Sequence, residues 1–463
     1  MKFLSKLLFG LVTIILFLST SCNQVEPTEG GNNLMKSQEN EVYHEWSSVF
    51  MEVERYAAAY RPGPAPRALA YLGLSAYEAC LGGMPDYQSL QFRLGIQDMP
   101  AVQTNLYWPE VINASYGYLM NKFFENVTFK DKAGLTLDKQ QFLRLIVTKE
   151  KELRERFRKN TVETILNNSE AHGREVASAV WRFSTTDAEG YNAHLNPFPI
   201  ENNPVNTCDW VATEPQNSTR GMYALWGKVR RFGLSQIDMD ALKAPFTCDD
   251  GKNSINYQQA WEMYVIANEA RSNPKGEMEC IAEFWSDDRV GWTFSPAPRF
   301  IAIADQIVQK EKMNLETTCV LYAQIGMALN DASVVAWYNK YKYDLERPIT
   351  YIKRNIDPNF EVPWLGFTPP FPAYPSGHST FGYAGAGILE YFVGPNYSFT
   401  DHCHEQRTDF CGTPRSFNTL RTLAYENAFS RLPLAVHWRI DMEGGEFCGL
   451  LAAKRIHELP WKK

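Results

Sequence analysis

Three short segments in the second half of the chain carry side chains of the kinds that hold and attack a small oxyanion. The first is Lys340-Tyr-Lys-Tyr-Asp-Leu-Glu-Arg347-Pro348. At about 100° per residue, an unbroken helix puts Lys340 and Arg347 on one face. Like charges so placed repel unless an anion lies between them, and Pro348 then ends or bends the helix. The second is Pro375-Ser376-Gly377-His378, followed by Ser379, Thr380 and an apolar helical run to Tyr391. Ser376 is a good helix N-cap. Gly377 lets the backbone come close to a ligand, and first-turn amides with the helix dipole favour an anion. A histidine there, His378, can give or take a proton. The third is Ser430-Arg431-Leu-Pro-Leu-Ala-Val-His437-Trp-Arg-Ile-Asp441. Pro433 suits the first turn of a helix, and His437 and Asp441, four apart, share a face. A carboxylate bonded to one imidazole nitrogen leaves the other as nucleophile or ligand.

Taken singly, each segment has a plainer reading: a solvated basic face, a helix cap, a surface pair four residues apart. Together they supply three cations, a helix-start amide cluster, one histidine unassigned to a partner and one oriented by a carboxylate. That set suits a tetrahedral oxyanion, with arginines able to bind two oxygens each and a nitrogen of His437 completing a trigonal bipyramid.

The elements that must position these residues read as helices. Apolar spacing marks helices over Ala65–Leu81, Asp138–Leu166 and Ala171–Phe183, and again from about Ser254 to His457. Residues 185–250 are rich in Asn, Pro, Thr and Gly without a sustained period, which reads as a long connection between two helical halves. Alternating Val/Ile/Thr runs are scarce, so the fold class is all-α. The organisation expected is a leader at 1–21, a tether at 22–40, an N-terminal helical half with the connection at 41–250, and a C-terminal half carrying the site at 251–463.

In this order, Lys-x6-Arg-Pro, Pro-Ser-Gly-His and Ser-Arg-x5-His-x3-Asp resemble the three-part signature of the type 2 phosphatidic acid phosphatase (PAP2) and vanadium haloperoxidase superfamily. RALAYLGLSAYEA at 67–79, AEFWSD at 282–287 and TPPFPAYPSGHSTFG at 368–382 are similar to its soluble haloperoxidase branch. The resemblance implies a helical fold around two four-helix bundles. It implies Lys340, Arg347, Ser376, Gly377 and Arg431 as ligands of vanadate or phosphate. His437 would bind vanadium or attack phosphorus, with Asp441 behind it and His378 as acid and base. Phe371 stands where chloride-oxidising members carry Phe and bromide-oxidising ones His. Asp288, or its neighbour Asp287, would partner one of the active-site arginines.

Because phosphate and vanadate are near-isosteres, the pocket fits two enzymes. One is a haloperoxidase with a vanadate cofactor, oxidising halide with hydrogen peroxide. The other is an acid phosphatase without cofactor, hydrolysing phosphate monoesters through a phosphohistidine. The haloperoxidase is the first reading, since the likeness runs through both halves. A non-enzymatic surface module that merely retains the pocket is a third.

The remaining features bound the setting. The chain has 463 residues, 44% hydrophobic and 21% charged, which excludes wholesale disorder. Its formal charge of −7 argues against nucleic acid as a partner and says nothing against a small anionic ligand; the partners that both enzyme readings imply are small-molecule substrates. Leu7–Leu18 is apolar behind Lys2 and Lys6, too short to span a membrane comfortably, and shaped like a signal peptide. Ser19-Thr20-Ser21-Cys22 resembles a bacterial lipoprotein box, so the expectation is an exported protein, periplasmic or at the cell surface, held to the membrane by lipid on Cys22. Eight further cysteines are then available for disulfides. Cys403 with Cys411 and Cys208 with Cys248 are plausible staples, and Cys80 and Cys319 suit buried thiols. The sequons at Asn113, Asn126, Asn167, Asn217 and Asn396 are incidental in a lipoprotein.

Overall fold

The structure, a computed structural model, describes residues 34–213, 219–287, 289–363 and 366–463. The leader, Cys22 and Asp288 therefore lie outside the described residues. Among them the regular structure is almost wholly helical, as the periodicity predicts. The helices are α1 (Glu41–Tyr56), α2 (Pro64–Ala79), α3 (Gln91–Leu94), α4 (Trp108–Phe124), α5 (Lys139–Phe157), α6 (Glu163–Thr185), α7 (Ala188–Tyr191) and α8 (Gln236–Asp240). They continue with α9 (Ile255–Ser272), α10 (Glu277–Phe284), α11 (Pro296–Lys310), α12 (Leu315–Tyr343), α13 (Pro348–Asn355), α14 (Gly377–Val393), α15 (Leu420–Phe429) and α16 (Arg439–His457). Two small antiparallel ribbons join them: β1 (Ala57–Ala58) pairs with β2 (Thr128–Phe129), and β3 (Phe399–Asp401) with β4 (Arg415–Phe417).

Local chemistry starts the helices where the sequence signals them. Side-chain oxygens of Asp138, Ser254, Asn314 and Thr419 accept first-turn amides of α5, α9, α12 and α15, each cap contributing about 1 kcal/mol. Pro at the first or second position opens α2, α4, α11 and α13, where its missing N–H is no loss.

The 29-residue α12 is the centre of the molecule. It is long and apolar enough to cross a membrane, yet its most apolar stretch is wholly buried in protein. It packs against α2 and also against α14 and α16. The α2 contact is close. A Cβ on Gly73 would stand 2.6 Å from the Tyr322 carbonyl oxygen, and one on Gly326 2.6 Å from that of Leu69, so only glycine allows this spacing. Every residue of α2 is buried. Around it α4 packs on α5 and α6, and α1 on α5 and α11. In the second half α14 is surrounded by α11, α12, α15 and α16.

The described residues of 185–250 are mostly irregular, with α7, α8 and short 3-10 turns, and Cys208–Cys248 staples their end. The other staple departs from the sequence expectation: Cys411 joins Cys280, not Cys403, with Cα atoms 5.1 Å apart. Two hydrogen bonds explain it. Cys411 N–H donates to Glu283 Oε2 at 2.7 Å, which holds Cys411 over α10. Gln306 Nε2 donates to Cys403 Sγ at 3.2 Å, which turns Cys403 toward α11. Cys80 and Cys319 are buried free thiols, as expected, and so is Cys448.

Candidate active site

All three signature segments meet in one place. Lys340 sits in the last turn of α12, fully buried, and its Nζ donates to the carbonyls of Pro372 and Ala373, both at 2.9 Å. The single-helix reading of Lys340 and Arg347 needs correction. Asp344 takes φ 45°, a left-handed C-cap that ends α12 three residues before Arg347. Arg347 is the residue before Pro348, which begins a new helix, α13. The two cations converge because the chain turns, not because they share a face. Arg347 Nε donates to Phe371 O at 3.0 Å and Nη1 to Val436 O at 2.7 Å, and Nη1 lies 3.2 Å from His437 Nε2.

Ser376 caps α14 as the sequence implies, its hydroxyl accepting Ser379 N–H at 3.4 Å. Gly377 and His378 form the first turn and are buried. Ser376 N–H donates to the Asp441 carbonyl at 2.8 Å, tying the start of α14 to that of α16. The two helices come this close because of glycine. A Cβ on Gly445 would stand 2.5 Å from Ser379 Cβ, and one on Gly449 2.4 Å from Thr380 O.

The third segment also differs in detail. Pro433 lies in a turn rather than a helix, Ala435 takes φ 52°, and α16 begins only at Arg439. His437 is therefore outside the helix that holds Asp441. The pair forms nonetheless, His437 Nδ1 lying 2.8 Å from Asp441 Oδ2. The same oxygen accepts Trp438 N–H at 2.9 Å, at the start of α16. Arg431 is 1% exposed, with Nε donating to Ser430 Oγ at 3.0 Å and Nη2 to Trp285 O at 2.9 Å.

Burial and mutual repulsion shape the charges. His437 is held well below its ordinary pKa by burial and then by Arg347, Lys340, His378 and Arg431. Its Nδ1 faces the Asp441 carboxylate and its Nε2 faces the Arg347 guanidinium, a setting that favours the neutral ring with the proton on Nδ1. Lys340 is driven down by burial and by Arg347. Burial pushes the Asp441 carboxyl up to about 7 against the pull of Lys340.

His437, Arg431, Gly377 and His378 line one cavity of about 190 Å³, with Phe371 and Trp337 among its apolar walls. The Phe371 ring lies under both Lys340 Nζ, 5.0 Å away, and Arg347 Cζ, 5.1 Å away. A Cβ on Gly377 would meet nothing nearer than the Trp337 ring at 3.6 Å, an ordinary contact. Protein packing does not require glycine there; it keeps the cavity beside the α14 amides open. Asp287 lines the cavity too, but its partners are Arg299, at 3.3 Å, and His404, at 3.4 Å. Arg299 is not one of the signature cations. Burial pushes the Asp287 carboxyl up, and Arg299 and His404 outweigh it, leaving a net lowering.

The motifs did not point to two buried arginines: Arg299, between Asp287 and Asp401, and Arg61, which lines the cavity from the first half of the chain. Arg299 has no local signal for Asp401 and His404, which lie across the fold, while Arg61 bonds the carbonyls of Glu54 and Arg55 just before it, a contact no motif marks. The one cue in the sequence was that Arg61 precedes a Pro-Gly-Pro turn.

Comparison with known proteins agrees with this architecture. Residues 320–459 match the family model of the VCPO second helical-bundle domain, which contains Lys340 to Asp441. The vanadium chloroperoxidase of Curvularia inaequalis is 22% identical over 325 residues, 55% of this chain and 52% of that protein. The match thus spans about half the length of the curated relative. Among solved structures, the first bacterial vanadium-dependent iodoperoxidase superposes with TM-score 0.76 at 22% identity, covering 93% of this chain and 97% of that one. A holo-type bacterial vanadium-dependent chloroperoxidase gives 0.63 at 13% identity, covering 93% and 99%. The fold is that of the vanadium haloperoxidases, as the motifs implied.

Proposed function

We propose that the chain is a vanadate-dependent haloperoxidase: halide gives two electrons to hydrogen peroxide, the O–O bond breaks, and X⁻ + H₂O₂ + H⁺ becomes HOX + H₂O. The observation that carries the reading is His437, held by Asp441 at Nδ1 and lining one cavity with Arg431, with buried Arg347 against its Nε2 and buried Lys340 behind Phe371. A neutral ring nitrogen is a metal ligand, and the surrounding positive field suits an oxyanion.

The residues fit vanadate. His437 Nε2 would bind it, Lys340, Arg347 and Arg431 would hold its oxygens, and the Ser376 hydroxyl and Gly377 amide would donate to it. The open face at Gly377 leaves the space. Bound vanadate supplies a Lewis acid that polarises peroxide without itself changing oxidation state. The protein does the rest. The cations orient the oxygens and withdraw charge, Asp441 keeps the Nδ1–H tautomer, and the His378 imidazole takes a proton from peroxide and returns it to the departing oxygen. The apolar walls at Phe371 and Trp337 limit water.

Purified protein loaded with orthovanadate, given peroxide and halide, is expected to halogenate a 1,3-diketone, and His437→Ala to abolish this. Hydrolysis of nitrophenyl phosphate without halogenation at full vanadate occupancy would overturn the reading in favour of the phosphatase. Export and lipidation at Cys22 belong to the same proposal; radiolabelled palmitate in expressing bacteria tests them, with loss of label expected in Cys22→Ala.

A further inference from the structure

The irregular connection between the two halves does more than join them. Residues 224–236 lie along the last turns of α12, and together they enclose a groove of about 610 Å³, a size that suits a small organic molecule. A Cβ on Gly227 would stand 2.7 Å from Tyr338 Cα, so glycine lets the connection sit directly on the helix. The groove and the active-site cavity share a wall. Trp337 lines both, and Met222, at the cavity, accepts through its carbonyl a 2.7 Å hydrogen bond from the hydroxyl of Tyr341, in the groove.

Four of the groove's side chains are cations, Lys228, Arg230, Arg231 and Lys342, and none is a carboxylate. The chain as a whole carries −7, so the groove is a local excess of positive charge. Two of the four cations are already engaged. Arg230 gives Nη1 to the Tyr71 hydroxyl and the Phe183 carbonyl and Nη2 to Thr186. Lys342 Nζ donates to Asp240 at 2.9 Å. The other two remain available. Lys228 is exposed, and among the described residues its ammonium has no hydrogen-bond or ion-pair partner. Arg231 spends only Nη1, on Gln236 Oε1 at 3.2 Å, and none of its remaining nitrogens is buried. The carboxylates nearest in the chain are occupied elsewhere: the amides of Phe232, Gly233 and Leu234 hold Asp331, and Arg455 holds Asp238. Beside the two available cations stand Tyr338 and Tyr341. Their hydroxyls are taken by Asp240 and the Met222 carbonyl, so what they offer the groove is ring surface.

We propose that this groove binds the organic acceptor of the halogenation, and that the acceptor it selects is a small aromatic acid, its carboxylate between Lys228 and Arg231 and its ring against Tyr338 and Tyr341. The assignment rests on the haloperoxidase reading. Arg231 can take both carboxylate oxygens and Lys228 one, while the tyrosine rings stack on the acceptor. Hypohalous acid leaving the cavity then meets a ring held next door. A ring carbon bonds to the halogen, the O–X bond breaks, and the oxygen departs as water with the proton the ring loses, so HOX + ArH becomes ArX + H₂O. Holding the acceptor beside the source raises its effective concentration over molecules in bulk water.

The test uses the vanadate-loaded protein, so that the active-site cations are answered and the acid is offered the groove. Without peroxide, calorimetric titration with 4-hydroxybenzoate is expected to saturate in the wild type. The dissociation constant is expected to rise about tenfold in the double variant Lys228→Gln with Arg231→Gln, and to stay near wild type in Lys228→Arg with Arg231→Lys, which keeps both charges should the first variant fold poorly. With peroxide and bromide, the kcat/KM for 4-hydroxybenzoate divided by that for phenol, which has no carboxylate, is expected to fall about tenfold in the first double variant and to recover in the second. Halogenation without saturable acid binding, or binding that the glutamine pair leaves intact, overturns the groove assignment alone. So does a ratio that is the same in every form, the mark of free hypohalous acid reacting in bulk water. Acid binding without any halogenation by the wild type overturns the haloperoxidase reading, and the acceptor role with it.

Discussion

The second half of the molecule buries two sets of charges, and they are balanced in different ways. Arg299 lies between two carboxylates, 2.8 Å from Asp401 and 3.3 Å from Asp287, and stacks 4.4 Å from the Trp285 ring. Everything it needs is built into the fold, and the carboxylates hold its pKa above the ordinary value despite burial. Lys340 lies at the cavity end of α12 and bonds to backbone carbonyls, while Asp441, the carboxylate that faces it, is engaged by His437 and Trp438. Burial and neighbouring cations push Lys340 and His437 down together. Depth of burial is the same in both clusters and does not tell them apart. What separates them is the neighbours: Arg299 meets two carboxylates, whereas Lys340 meets backbone carbonyls, and under the proposed function the anion that answers it is bound vanadate.

Breaking that comparison gives the largest effect at the site. Lys340→Met should lower halogenation by about a thousandfold through lost charge stabilisation, while the vanadate-free protein melts within a few degrees of wild type, since no carboxylate loses its sole partner. The reverse holds for Arg299→Met. It strands Asp287 and Asp401 in the interior and is expected to lower stability by about 3–5 kcal/mol, read by denaturant unfolding. Equal destabilisation by the two substitutions would remove the distinction. A smaller effect sharpens it from the ligand side. Orthovanadate at about a hundred times its dissociation constant should stabilise the wild type by about 2.7 kcal/mol and leave the melting temperature of Lys340→Met almost unmoved.

The smallest expected effect lies in the first half. Burial raises the Glu110 carboxyl to about 8 from 4.5, with Asn113 and Arg154 opposing. The folded state thus binds the proton more tightly than the unfolded one, so stability is greatest below pH 4.5 for this group and falls as pH rises toward 8. Glu110→Gln should flatten that slope by about 1 kcal/mol or more, seen as a smaller loss of melting temperature between pH 5 and pH 8.

Much of this was legible from local signals. Helix periodicity, the Ser376 cap and the His437–Asp441 spacing all depend on neighbours within a few residues, and the fold keeps them. Turns are where local signals mislead. Asp344 in a left-handed conformation broke the helix assumed to run from Lys340 to Arg347, and the turn through Ala435 moved His437 off α16. Both errors left the convergence intact, because side chains were placed correctly relative to the cavity by a different path. Cys411 was paired wrongly, since its distance to Cys280 is set by α10 and not by sequence separation. Arg299 was missed for the same reason: Asp401 and His404 are brought to it only by the packed structure.

The close seating of α2 on α12 at Gly73 and Gly326 bears on how the chain can be divided. A fragment of residues 251–463 carries every signature residue, yet it would present one flank of a 29-residue apolar helix to water and would be expected to aggregate. Supplied together with a second fragment covering residues 34–250, it has a matching surface to fold onto. If the proposed function holds, the two pieces would make a split enzyme whose halogenating activity would report their reassembly.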